Sequence, residues 1–198
     1  MAVGSLAPGP VFRTSLPLPP RRRYVFAAMD PLLLAMRLLH VGLGAFWAGA
    51  LIFTAYFLLP SVREAGPDGA KVMAGLMRRR FLTVMPVVAA ITILSGLWLY
   101  WKVSLGFQPA SMGSRWGMAI GTGSVTAVLA FIIGVSVVRP SMLRAAALTE
   151  AAASAPAAER EARLAEAQAL RARGGTAGRA VAVLLIITVA AMAVARHL

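Results

Sequence analysis

Residues 81–101, FLTVMPVVAAITILSGLWLYW, form an apolar run that lies between Arg80 and Lys102 and contains no charged residue. A helix needs roughly 20 apolar residues to cross the hydrocarbon core of a bilayer. This run is long enough, and cations at both ends suit the two headgroup regions. It therefore predicts a membrane-spanning helix.

Three further runs have the same character, at residues 32–59, 116–138 and 180–195. The first of them is interrupted only by Arg37 and His40. The chain is 59% hydrophobic and its mean hydropathy is +0.76, values above the usual range of soluble domains. We expect an all-α integral membrane domain at residues 29–198, built as a four-helix bundle.

The formal net charge of +13 comes from residues that flank the apolar runs. Nucleic-acid binding would instead favour one basic surface interleaved with aromatic side chains, so the bilayer is the predicted partner and nucleic acid is not. The sequence contains no cysteine, which excludes disulfides and thiolate metal sites. It also offers no Ser-His-carboxylate set and no glycine-rich phosphate loop.

The distribution of Lys and Arg predicts the orientation of the bundle. Loops 60–80 and 139–179 carry twelve of these residues, against seven in the segments on the other side. Because positively charged loops are retained in the cytoplasm, we expect both loops to be cytoplasmic and both chain termini to lie on the outer side.

Residues 1–28 differ from the rest of the chain because they are rich in proline and end in an arginine cluster. They lack the apolar core of a secretory signal peptide. Two interpretations remain open. The segment is a disordered Pro/Arg-rich tail, or the start codon is mis-assigned and the protein begins at Met29, directly before the first span.

The two basic loops have helical patterns of their own. Met73, Leu76 and Met77 have the spacing of a short amphipathic helix that leads into the second span. Residues 141–178 predict a helical loop, split at Pro156 and closed by Gly174-Gly175. A solvated helical hairpin is the plain interpretation of this loop, and partner binding is the alternative.

His40 is the only histidine within a predicted span, and an ionisable residue in such a segment suggests function. It is a candidate for ligand binding or proton handling, against an interfacial or packing role; if residues 41–59 fill the hydrocarbon, it lies at the outer edge. Arg37, one turn earlier, is a candidate partner for a carboxylate or propionate, or a snorkelling cation. His197, at the outer end of the fourth span, is a further candidate ligand beside His40.

Small residues at intervals of four predict close helix packing. They are Gly113, Gly117 and Gly121 at the start of the third span, and Ala45 and Gly49 in the first. These positions serve contacts within the bundle or contacts with a partner, such as a second copy or a larger membrane complex. The pattern does not separate these alternatives.

Several motifs in the first two spans resemble two four-helix bacterial membrane families, the CopD copper-resistance proteins and the HemJ membrane protoporphyrinogen oxidases. The motifs are Arg37-Leu-Leu-His40, Phe46-Trp47-Ala-Gly49, Arg79-Arg80-Phe81, Pro86 and Ser95-Gly96-Leu97-Trp98. The resemblance implies a location in the bacterial inner membrane. In the HemJ pattern the histidine of the first span takes part in binding b-type haem, and His40 is the matching position.

The HemJ pattern also has a lysine about one turn after the tryptophan that opens the third span. Here Trp116 is followed by Met118, Ala119 and Ile120, so the resemblance does not extend to the oxidase reaction and no enzyme is predicted. Haem b binding through His40, with Arg37 beside it, is the main hypothesis. The alternatives are a non-catalytic accessory or assembly subunit of a larger membrane complex, and copper-related membrane transport.

Overall fold

The computed structural model describes residues 30–198, and every regular element in this part of the chain is helical. Four helices are long and apolar enough to cross a membrane: Pro31–Glu64, Phe81–Val103, Arg115–Ala152 and Ala157–Ala195. This confirms the predicted all-α, four-helix membrane architecture. The tail at residues 1–28 lies outside the described residues.

The first and third spanning helices each contain a short π-helical segment. The first consists of α1 (Pro31–Phe53), a π-helical segment (Thr54–Leu58) and α2 (Leu59–Glu64). The third consists of α6 (Arg115–Ile133), a second π-helical segment (Gly134–Val138) and α7 (Arg139–Ala152).

Proline explains where these π-helical segments lie. Pro60 and Pro140 each follow a segment at the second position, and a proline ring both lacks an N–H and crowds the carbonyl four residues earlier. The chain widens to the five-residue spacing of a π-helix just before each proline, as when the Leu59 N–H donates to the Thr54 carbonyl. Both helices therefore continue past a residue that normally interrupts them.

Two helical hairpins, the first formed by the first and second spans and the second by the third and fourth, are completed by the remaining helices. They are α3 (Pro67–Arg78), α4 (Phe81–Val103), α5 (Pro109–Met112) and α8 (Ala157–Ala195). α4 packs along α1, and α8 packs along both α6 and α7. We call the end of the bundle formed by α2, α3, α7 and the first half of α8 the basic end, and the end formed by α5 and the start of α1 the opposite end.

The prediction that Gly174-Gly175 closes a helix is wrong, because α8 runs without interruption from Ala157 to Ala195. Both glycines are buried in close contacts. A Cβ on Gly174 would lie 2.7 Å from Cε of Met142, and one on Gly175 would lie 2.7 Å from Nη2 of Arg63. Tertiary packing thus outweighs the low helix propensity of glycine here.

The core of the bundle combines a few large side chains with many small ones. Trp47, Met85 and Leu185 are buried together with alanines that include Ala89 and Ala130. Small residues allow helix backbones to approach closely, which is the main source of packing energy between helices in lipid. Many large apolar side chains on the outer faces are exposed, as lipid contact requires.

Candidate functional site

The His40 side chain bridges α1 and α4. Its Nδ1 lies 2.8 Å from the backbone carbonyl oxygen of Thr92. Since a carbonyl can only accept, Nδ1 carries the proton and donates it. The same carbonyl oxygen also accepts a hydrogen bond from Oγ of Ser95, at 3.0 Å. The result is a fixed imidazole orientation held by the backbone of the neighbouring helix.

Gly96 provides the space that the imidazole ring occupies. A Cβ at this position would lie 2.5 Å from Cε1 and 2.8 Å from Nδ1 of His40, which is too close for any side chain. Gly44, one turn after His40 on α1, is likewise close to α4: its Cβ would lie 3.2 Å from Cγ2 of Thr92. α1 and α4 therefore approach each other closely at two positions, where Gly96 contacts His40 and Gly44 contacts Thr92.

The register of α1 against α4 sets the depth of His40. α4 covers Phe81–Val103, so Thr92 is at its middle, and Gly96 is about 7.5 Å along the helix from Trp101 at 1.5 Å per residue. His40 contacts both Thr92 and Gly96 and so lies level with the interior of the second span. The helix register thus places His40 beside the middle part of α4, and α1 extends beyond it to Pro31, whereas the sequence alone suggested a position at the outer edge of the hydrocarbon.

The second ring nitrogen of His40 is available for a ligand. Nε2 has no hydrogen-bond partner within residues 30–198. Every fully buried side-chain nitrogen or oxygen in this part of the chain does have a partner. Nε2 is therefore accessible at the surface of the bundle. A histidine that ligates a metal usually donates its other N–H to a carbonyl or carboxylate, as His40 does to Thr92.

Arg37 lies one turn farther toward the opposite end, on the same side of α1 as His40 by its three-residue spacing. Its side chain is exposed and forms no hydrogen bond or ion pair within the part of the chain described. It is thus free to meet an anionic group next to His40. His197, in contrast, is exposed beyond the end of α8.

The five predicted packing positions have different surroundings. Gly113 precedes α6, as the C-cap of α5. Gly117 is buried against the carbonyls of Ser111 and Met112, and its own carbonyl accepts from the Tyr100 hydroxyl at 3.1 Å. Gly121 faces the same hydroxyl, which would lie 3.9 Å from a Cβ added at this glycine. Gly117 and Gly121 therefore contact the chain itself.

Ala45 and Gly49 are exposed on α1, and a Cβ on Gly49 would meet no atom within 4 Å. Among the contact glycines that the four-residue pattern did not single out, two lie in the apolar runs of the second and third spans. They are Gly96, beneath His40, and Gly123, which packs against Met192 and Thr188 of α8. Gly96 follows a serine in a motif that resembles known families, but nothing in its local sequence indicates that a histidine 56 positions earlier lies on it.

An apolar cavity of about 100 Å³ lies toward the basic end, between the spanning helices and α3. Met73, Leu76 and Met77 of α3 line it, so the predicted amphipathic helix turns its apolar face to the bundle. His40 is not among its lining residues. This cavity and the histidine are therefore separate features.

Arg139 forms part of the wall of that cavity. Its Nε donates to the Leu82 carbonyl oxygen at 3.1 Å. That carbonyl needs an outside donor because the residue four positions later is Pro86, which has no N–H to offer. Arg139 thus compensates for the proline within α4.

Among residues 30–198, no three His, Asp or Glu side chains are grouped as metal ligands.

The fold and the site define a multi-pass four-helix membrane protein with one histidine held inside the span. No family model, curated protein or solved structure matches this chain.

Proposed function

We propose that this chain is a bacterial inner-membrane protein that binds b-type haem through Nε2 of His40. The observation that carries the proposal is the bond from Nδ1 of His40 to the Thr92 carbonyl, which fixes the ring and leaves Nε2 accessible. An imidazole oriented in this way is a common protein ligand of haem iron. The resemblance of His40 to the haem histidine of the HemJ pattern points to the same group.

The residues around His40 suit haem in donor type and charge. His40 would ligate the iron, and the exposed guanidinium of Arg37 would hold a propionate through charge-assisted hydrogen bonds. His40 does not line the apolar cavity near the basic end, so a porphyrin ligated by His40 would lie outside that cavity. When bound, haem would supply a one-electron redox centre.

We do not assign an oxidase reaction to this site. In the HemJ pattern a lysine follows the tryptophan at the start of the third span, and here α6 offers Met118, Ala119 and Ile120 after Trp116. The proposal is therefore limited to haem binding.

An accessory or assembly subunit is the second candidate function. It is favoured by the exposed pair Ala45 and Gly49 on α1, because small residues let a partner helix approach closely. In that case the His40 bond to Thr92 would serve only to hold α1 and α4 together.

Absorption spectra of the detergent-purified protein, produced with haem supplied and recorded oxidised and reduced, test the proposal. We expect a Soret band in the wild type and its loss or shift in His40→Ala. His197→Ala is the matched control, since this exposed histidine lies beyond α8, and its spectrum should equal that of the wild type. A colourless wild-type protein would remove the haem proposal.

The second candidate has a separate test. Affinity purification in mild detergent should retain a stoichiometric partner if the chain is an accessory subunit, and Gly49→Leu should release it. A preparation that contains only this chain would count against that candidate, whatever the spectrum shows.

A further inference from the structure

A basic groove lies at the basic end of the bundle, between α2 and α8. We define it by its lining residues: Arg63, Gln168, Arg171, Ala172, Thr176 and Arg179. Three of these six residues are arginines and none is acidic. The α8 members repeat at intervals of three and four residues, so they share one helical face that Arg63 approaches from α2.

Contacts with the protein restrain the arginines of the groove. Nη2 of Arg63 packs on Gly175, where a Cβ would lie 2.7 Å away. Nη2 of Arg171 donates to Oγ1 of Thr149 at 2.6 Å. Nη2 of Arg179 lies 3.4 Å from Oγ1 of Thr176. These contacts lower the entropy that the side chains would lose when they bind a ligand.

The groove arginines lack the counter-ions that other arginines at this end possess. Arg144 pairs with Glu166 at 2.7 Å, and Arg163 pairs with Glu159 at 2.8 Å. Arg63, Arg171 and Arg179 form no ion pair within residues 30–198. Their positive charge is therefore available to an anion from outside the chain.

The position of the groove identifies the chemistry of that anion. Arg179 immediately precedes the apolar run that begins at Ala180, and Arg63 follows the last apolar turn of the first span. The end of the groove at Arg63 and Arg179 thus lies where a spanning helix leaves the hydrocarbon, at the level of lipid headgroups. Guanidinium groups bind phosphate oxygens through two parallel N–H bonds.

We propose that the basic groove binds a phosphate group, carried by an anionic phospholipid or by a soluble phosphate. Arg63 and Arg179 contact the phosphate oxygens, and Arg171, Gln168 and Thr176 complete the polar lining. The site is independent of His40, which lies in the other half of the bundle.

The affinity of the full-length protein for each source can be measured in detergent by thermal unfolding at increasing ligand concentration. The probes are phosphatidylglycerol, phosphatidylcholine and inorganic phosphate. We expect phosphatidylglycerol to raise the unfolding temperature of the wild type. Loss of one charge-assisted contact should weaken its binding about tenfold in Arg63→Gln and in Arg179→Gln.

Two further variants separate a built site from net charge. Gly175→Ala keeps every charge but displaces the Arg63 guanidinium, so it should also weaken binding. Arg144→Gln removes a charge from the same end outside the groove, and it should leave the affinity unchanged. An equal loss in Arg63→Gln and Arg144→Gln would overturn the proposal, as would full binding by Gly175→Ala.

The choice of probe identifies the source of the phosphate. Stabilisation by inorganic phosphate that depends on Arg63 would assign the groove to a soluble phosphate. Stabilisation by phosphatidylglycerol alone would assign it to an anionic lipid. Equal stabilisation by phosphatidylcholine in all variants, or none by any probe, would overturn the phosphate site.

Discussion

At the residue scale, His40 combines an ionisable ring with a position inside the span. Burying a polar group without a hydrogen bond is costly, and the Thr92 carbonyl offsets part of that cost by accepting from Nδ1. Gly96 makes the bond geometrically feasible because it leaves room for the ring against α4. The position of the imidazole ring thus depends on the Thr92 carbonyl and on the absence of a side chain at Gly96.

Gly96→Ala should destabilise the protein through the His40 ring. The added methyl group would overlap Cε1 and Nδ1, and overpacking of this kind costs about 1–3 kcal/mol. Unfolding in mixed detergent micelles measures the change. Gly49→Ala is the matched control, and its stability should stay within about 1 kcal/mol of the wild type, since its Cβ meets nothing within 4 Å.

A double variant checks that the ring is the cause. In His40→Ala the overlap no longer exists, so adding Gly96→Ala should cost much less than it does in the wild type. We expect the two changes to be non-additive by about 0.5–3 kcal/mol. Additive changes would show that Gly96 matters for another reason.

At this scale the sequence singled out candidate residues but not their contacts. His40 and Arg37 stand out because ionisable residues are rare in apolar runs. The level of His40 along the bundle could not be predicted, since it depends on the axial register of α1 against α4. Thr92 and Gly96 became visible as partners only through that register.

At the scale of elements, α6 and α8 are joined by a side-chain hydrogen bond within the apolar region. The hydroxyl oxygens of Thr126 and Thr188 lie 2.8 Å apart. Close packing supports this bond, because Gly123 of α6 rests against the Thr188 carbonyl and the Met192 side chain. The second hairpin therefore has both a polar and a steric basis.

Thr188→Val should weaken this hairpin. Hydrogen bonds between helices in membranes contribute about 0.6 kcal/mol on average and at most about 1.7 kcal/mol, so we expect a loss in that range. Unfolding in mixed micelles measures it. Thr122→Val removes an exposed hydroxyl that donates to Met118 of its own helix, and it should have a smaller effect. Equal losses would mean that the interhelical bond contributes nothing.

The extents of the elements could be predicted where apolar runs are bounded by charge, as at residues 81–101. They could not be predicted where a helix continues into polar sequence. α8 begins at Ala157, although its apolar part starts only after Arg179. Gly174 and Gly175 predicted a helix end because glycine has a low helix propensity. Their close contacts with Met142 and Arg63 are tertiary, so the local sequence does not reveal them.

At the scale of the whole molecule, the loops with most of the positive charge meet at one end of the bundle. α2, α3, α7 and the first half of α8 all lie there, and the even number of spans places both ends of the described chain at the opposite end. The distribution of charge favours the cytoplasm for the basic end.

Labelling of single cysteines tests this orientation without interference, because the chain has no native cysteine. Gln108→Cys lies exposed before α5, and Ser154→Cys lies exposed between α7 and α8. In intact cells an impermeant maleimide should label Gln108→Cys and should label Ser154→Cys only after permeabilisation. The reverse pattern would contradict the predicted placement of the termini on the outer side.

The π-helical segments set the rotation of the helical parts on either side of them. A π-turn is an α-helix with one additional residue, and each residue in a helix corresponds to about 100° of rotation. The segment Thr54–Leu58 separates His40 from α2, so it sets the direction in which the histidine points relative to the basic end. Deletion of a single codon within this segment would rotate α2 by about 100° relative to His40, while the contacts between His40 and α4, which lie before the segment, would stay in place.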